Sequence, residues 1–155
     1  MNILRRIWTI INLVFLHLGY TGMPVEDFHL RKANYFLDLG WYHRAIHNYK
    51  KALKDHDDPR IHSVLGYCYS RIKAPLDSVQ HYSRARDKMR DPRIDIGLAN
   101  SEFDCGNIEK SEEIIQEVRS SNYRLDSKDV EVLDSLAAAI EVVKKAREDL
   151  KPPTD

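Results

Sequence analysis

His43 and His47 stand four residues apart, the spacing at which two imidazoles on one helix face can reach a single metal ion. No carboxylate or cysteine beside them completes a ligand set, so they read as polar surface of a helix. Cys68 and Cys105 are the only two cysteines. Neither belongs to a Cys-x-x-Cys redox or haem-attachment motif, and both are read as packing residues on helices, with a disulfide as the alternative. The run Glu109-Lys110-Ser111-Glu112-Glu113 is rich in carboxylates, but such runs are ordinarily solvated helix faces. There is no Gly-rich phosphate loop, no Gly-x-Ser-x-Gly elbow and no His-Glu-x-x-His. These residues point to no enzyme, no metal and no cofactor.

The elements that position them follow from spacing. His62, Leu65, Gly66 and Tyr69 share one face of a helix. Gly66 costs about 1 kcal/mol of helix propensity against Ala, so its place on an apolar face predicts a very close neighbour, read here as another backbone. Asp58-Pro59-Arg60-Ile61 returns as Asp91-Pro92-Arg93-Ile94, 33 residues on. The same shift carries Tyr49 and Ala52 onto Tyr82 and Ala85, and Ala33 onto Gly66 and Ala99. A fixed period of this size predicts stacked helical hairpins. Asp followed by Pro is also a good helix start, since Asp accepts from free N–H groups and Pro at the first position forfeits no hydrogen bond.

These residues resemble the tetratricopeptide repeat (TPR) family. The first copy matches through Ala33, Phe36, Gly40, Tyr42, Ala45, Tyr49 and Ala52. The second matches through His62, Leu65, Gly66, Tyr69, Tyr82 and Ala85, and departs at Ser78 and at Lys73-Ala74-Pro75, where a Gly-containing turn is usual. The third keeps Leu98, Ala99, Gly106 and Ile108, while Ser111, Ile115 and Val118 replace the usual second-helix residues. The resemblance implies an all-α, right-handed superhelix of antiparallel hairpins. Repeats fall at about 25–57, 58–90 and 91–121, followed by a capping helix at 126–150 with an apolar stripe from Leu133 to Val143. Asp126 and Asp129 are placed for a capping box at its start. Residues 151–155 form a frayed tail.

The family's inner wall is a partner-binding surface. By resemblance it includes Asn34, Leu37 and Asp38 in the first copy and Tyr67, Ser70 and Arg71 in the second. The third contributes Arg93, Asn100, Phe103 and Asp104. Some members clamp the C-terminal carboxylates of chaperones. Here Leu30, Val64 and Gly97 stand where that clamp needs Lys, Asn and Arg, with only Asn34 and Arg93 compatible, so chaperone-tail recognition is not expected. His29 and His62 occupy equivalent repeat positions and read as half-buried packing residues.

Residues 1–23 differ in kind. Arg5 and Arg6 precede an uncharged run that includes Trp8, Ile11, Val14, Phe15, Leu18 and Tyr20. Apolar residues lie all round such a helix, which would span roughly 30 Å, about one hydrocarbon thickness. His17 within it could be a helix contact or a ligand. The reading is an uncleaved single-pass anchor, with the repeat domain at 24–150 placed by the arginines on the non-cytoplasmic side. Lys plus Arg balance Asp plus Glu at 24 each, which gives no footprint for nucleic acid. The expected function is a membrane-anchored scaffold or accessory subunit that binds other proteins in a membrane assembly, with room for self-association. The alternative is a soluble adaptor or self-assembling repeat protein whose first helix packs on the array or on a partner.

Overall fold

The computed structural model describes residues 25–54 and 57–150, and within them every regular element is an α-helix. Seven helices follow in order: α1 Val25–Asp38, α2 Tyr42–Ala52, α3 Pro59–Arg71, α4 Pro75–Arg86, α5 Pro92–Asp104, α6 Ile108–Ser120 and α7 Ser127–Asp149. Packing divides the chain into two compact units, with the boundary between Ile61 and His62. The anchor proposed for residues 1–23 and the tail at 151–155 lie outside the described residues.

The period seen in the sequence is a period of backbone geometry. Pro opens α3, α4 and α5 at a position where no N–H is missed. Asp58 accepts from the Arg60 amide at 2.8 Å and Asp91 from the Arg93 amide at 2.9 Å, the same cap 33 residues apart. The first helix of each hairpin ends in one left-handed residue: Gly40 (φ 72°), Lys73 (φ 58°) and Gly106 (φ 83°). Around each, the same two bonds close the helix, such as Gly40 N to Leu37 O and Trp41 N to Phe36 O. Lys73 and Ala74 make the equivalent pair onto Ser70 and Tyr69. The missing glycine at the second turn thus changes the residue and leaves the turn intact. Asn107 stands at the N-cap of α6 but makes no side-chain capping bond; its Nδ2 donates to Glu102 Oε2 at 2.7 Å instead. Cys105 lies one residue beyond α5 as its C-cap, half-buried, whereas Cys68 is fully buried within α3; both are free thiols.

In the first unit Ala33, Phe36, Ala45, Ile46, Tyr49 and Ala52 are buried between α1 and α2, and Tyr42 is half-buried. In the second, Leu65, Tyr69, Tyr82, Ala85 and Ala99 are buried, and α5 to α7 share a core of Ile94, Leu98, Ile114, Ile115, Val118, Leu133, Leu136 and Ile140. What crowds Gly66 is not a backbone. The ring of Tyr82 in α4 lies against Gly66 in α3 and also against Gly97 in α5, so one aromatic wedge is received by two bare Cα atoms.

The serines that depart from the family pattern form a second device. Ser78 Oγ donates to Gly66 O at 2.8 Å, and Ser111 Oγ donates to Ala99 O at 2.7 Å. Donor and acceptor pairs are again offset by 33, so the two departures are one repeated bond. Ser101 Oγ lies 2.7 Å from Ser78 Oγ and 2.8 Å from Gly97 O, with one hydrogen to share between the two. His62, expected to be half-buried, is fully buried, its Nδ1 2.8 Å from that of His81. His81 in turn stacks on Tyr69 with 5.4 Å between ring centroids.

The capping box forms as the spacing predicts. Asp126 accepts from Lys128 and Asp129 amides at 2.9 and 2.8 Å, and Asp129 accepts from the Asp126 amide at 3.4 Å. The Asp129 amide, then that of Lys128 and the nearby Arg93, hold the Asp126 carboxyl below its ordinary range. Ion pairs tie α7 to α6: Lys144 to Glu112 at 2.9 Å, Arg147 to Glu109 at 3.0 Å, and Arg119 to Asp134 at 2.7 Å.

Candidate protein-interaction surfaces

Helices α5 and α7 flank a cleft of about 600 Å³ in the second unit. From α5 it takes Asn100, Phe103 and Asp104, three of the residues placed by resemblance on the inner wall. From α7 it takes Lys128, Glu131, Val132, Ser135, Leu136 and Ala139. Phe103 is half-buried, so its ring both packs on the α5–α7 core and faces the cleft. Val132 is 46% exposed, off the buried stripe of Leu133, Leu136 and Ile140. The chemistry is an apolar floor with a polar rim, which suits the side chains of a bound polypeptide. The resemblance implies only a capping role for this helix, and the structure adds its contribution to the cleft. The available signal was Val130 and Val132, two valines that the apolar stripe does not use.

The other inner-wall candidates are not drawn into this cleft. Arg93 is exposed and reaches Asp126 Oδ2 at 3.5 Å and Asp129 Oδ1 at 4.0 Å, beside the capping box. Tyr67 is 44% exposed, Ser70 donates to the Tyr67 carbonyl at 2.8 Å, and Arg71 is exposed. In the first unit Leu37 is half-buried and Asp38 exposed. Asn34 is exposed, but its Oδ1 accepts from the Tyr49 hydroxyl at 2.6 Å, tying α1 to α2.

A second cleft, of about 450 Å³, lies between α1 and α2. His29, Lys32 and Phe36 line it from α1, and His43, Arg44, His47, Asn48 and Lys51 from α2. The histidine pair singled out for its spacing therefore shares a cleft with a third histidine. Among the described residues no set of three His, Cys, Asp or Glu groups could hold a metal ion.

No protein-family model and no curated sequence matches the chain. Solved structures do. The chain resembles the Sgt2 TPR domain from Aspergillus fumigatus with a TM-score of 0.66 at 19% identity, covering 86% of this chain and 88% of that one. The first TPR of Spaghetti (RPAP3) bound to an HSP90 peptide aligns with a TM-score of 0.62 at 18% identity, over 75% of this chain and 95% of that one. Yeast Tom70 aligns with a TM-score of 0.66 at 19% identity, covering 83% of this chain and 26% of the longer protein. Three hairpins with a following helix, left-handed turns at period 33 and these neighbours agree: the chain has the tetratricopeptide-repeat fold, about three repeats and a capping helix.

Proposed function

We propose that the protein is a non-enzymatic interaction module, an adaptor that grips a segment of another protein in the cleft between α5 and α7. The observation that carries this reading is the pairing of an apolar floor, Phe103, Val132 and Leu136, with rim groups able to bond a peptide backbone, Asn100 and Ser135. TPR domains among its structural neighbours include one bound to an HSP90 peptide. That precedent supports peptide binding as a mode without transferring the peptide. Leu30, Val64 and Gly97 provide no clamp for terminal carboxylates, and the space above Gly97 is filled by Tyr82. The occupant favoured here is an internal segment with an apolar anchor residue. A photo-crosslinking amino acid at position 132 of the full chain tests this. Crosslinking to a partner segment, abolished by Ala139→Glu, is the expected result. Partners captured equally well by the Ala139→Glu protein would place recognition elsewhere.

The apolar run within residues 1–23 supports a second reading, in which the adaptor is also held at a membrane. Among the described residues no helix is long and apolar enough to cross one. Carbonate extraction separates the two readings: an anchored chain stays in the membrane pellet, whereas an adaptor whose first segment packs on protein is released.

A further inference from the structure

The cleft between α1 and α2 is lined by donors. Lys32, Arg44 and Lys51 are permanent cations, and His29, His43 and His47 add three imidazoles, while no Asp or Glu lines it. Several cations elsewhere in the molecule are matched: Arg86 meets Asp95, Arg119 meets Asp134, Lys144 meets Glu112 and Arg147 meets Glu109. Lys32, Arg44 and Lys51 have no carboxylate partner among the described residues. Lys32 and Arg44 are positioned by aromatic rings instead. The Arg44 guanidinium lies 4.7 Å from the centre of Trp41 and 5.7 Å from that of Phe36, and Lys32 lies 5.7 Å from Phe28 and 6.0 Å from Phe36. A ring face orients a cation and leaves its charge available. His29 adds a solvent-shielded Nδ1 with no hydrogen-bond partner among the described residues.

The zero net charge of the chain hides this polarity. Residues 1–54 hold eight Lys and Arg against three Asp and Glu, whereas residues 104–155 hold eight against thirteen.

We infer that the α1–α2 cleft receives the phosphoryl group of a phosphorylated serine or threonine in a partner protein. A phosphate monoester brings roughly −1.5 to −2 charges and three acceptor oxygens in one small group, enough to engage several of these donors at once. One carboxylate would leave most of the cationic charge unmatched. A nucleic acid would need cations tracking along a strand rather than gathered in one cleft. A bilayer surface would need apolar side chains around the mouth, and in the first unit Trp41 is the sole large exposed one among the described residues. This cleft belongs to other helices than the α5–α7 cleft, so its test stands independently of the adaptor reading.

The test is a 1H–15N titration of the full chain with capped phosphoserine, capped glutamate and inorganic phosphate at constant ionic strength. Capped phosphoserine is expected to shift the Arg44 Nε–H, the Trp41 indole and the Lys32 to Phe36 amides saturably, at least tenfold more tightly than capped glutamate. Arg44→Gln and Lys51→Gln, both at exposed positions, are expected to weaken it at least fivefold with unchanged circular dichroism, and Lys145→Gln to leave it intact. Equal binding of glutamate, or unsaturable shifts, would overturn the proposal. Inorganic phosphate binding as tightly as phosphoserine would assign the cleft to a free anion and overturn the peptide source. Arg44-dependent sedimentation with phosphatidylserine vesicles, without a phosphoserine effect, would overturn it in favour of lipid.

Discussion

The ring of Tyr82 rests so closely on Gly66 that a Cβ at that glycine would lie 2.7 Å from Tyr82 Cγ. At Gly97 a Cβ would meet the other end of the same side chain, 2.7 Å from the hydroxyl oxygen. The ring is buried and shared between α3 and α5, so it cannot yield to both.

Gly66→Ala and Gly97→Ala are therefore expected to destabilise the protein, although alanine is the better helix former by about 1 kcal/mol. Overpacking against a fixed ring costs about 1–3 kcal/mol and outweighs that gain. Thermal unfolding should show a lower midpoint for each. The loss at Gly97 should shrink in a Tyr82→Leu background, because the shorter side chain removes the obstacle; additive losses would disprove the contact.

Lys73→Gly is expected to be neutral or stabilising by up to about 1 kcal/mol. A left-handed non-glycine residue costs about 1–2 kcal/mol, partly offset by the greater freedom of glycine in the unfolded chain. Gly106→Ala, at the equivalent turn, is expected to destabilise. Opposite signs at two positions 33 residues apart, read in chemical denaturation, would show that the turns are the same.

These two devices also mark what the sequence could reveal. The hairpin period, the Asp-Pro starts and the capping box of α7 are local chemistry, complete within a few residues. The Tyr82 wedge is not, since Gly66 and Gly97 meet only through a third helix. Ser78 and Ser111 read as departures from a family pattern because the acceptor of each hydroxyl is a helix carbonyl twelve residues back, which no side-chain type announces. The α5–α7 cleft was half legible: Asn100, Phe103 and Asp104 came from resemblance, whereas Val132 emerged only with the packing of α7. The basic cleft needed α1 laid beside α2 before His29 and Lys32 could join His43, Arg44 and His47.

Ser78→Ala is expected to cost about 1–2 kcal/mol and Ser111→Ala about 0.5–1.5 kcal/mol, from one or two buried hydrogen bonds lost against a small gain in helix propensity. The order matters more than the size, because Ser78 alone also contacts Ser101. Equilibrium unfolding in urea would rank them, and equal losses would argue against the Ser78–Ser101 contact.

Burial pushes the Cys68 thiol up to about 11 from 9.0. The folded state thus favours the protonated form, so this contribution is whole below pH 9 and fades as pH climbs from 9 towards 11. At pH 8 an alkylating reagent should modify the half-buried Cys105 first and reach Cys68 only as fast as the protein opens. Equal labelling rates in the native protein would contradict the burial. In Cys68→Ala, the stability decline between pH 9 and 11 should flatten.

The interior hydroxyls have a consequence for alignment. Greasy helix faces tolerate a slip of one turn, because one aliphatic side chain will accept another. Ser78, Ser101 and Ser111 do not, since each bonds particular atoms of its surroundings and a shift along the axis would strand it in a dry interior. They act as keys cut for one position, and they leave neighbouring helices a single way to mesh.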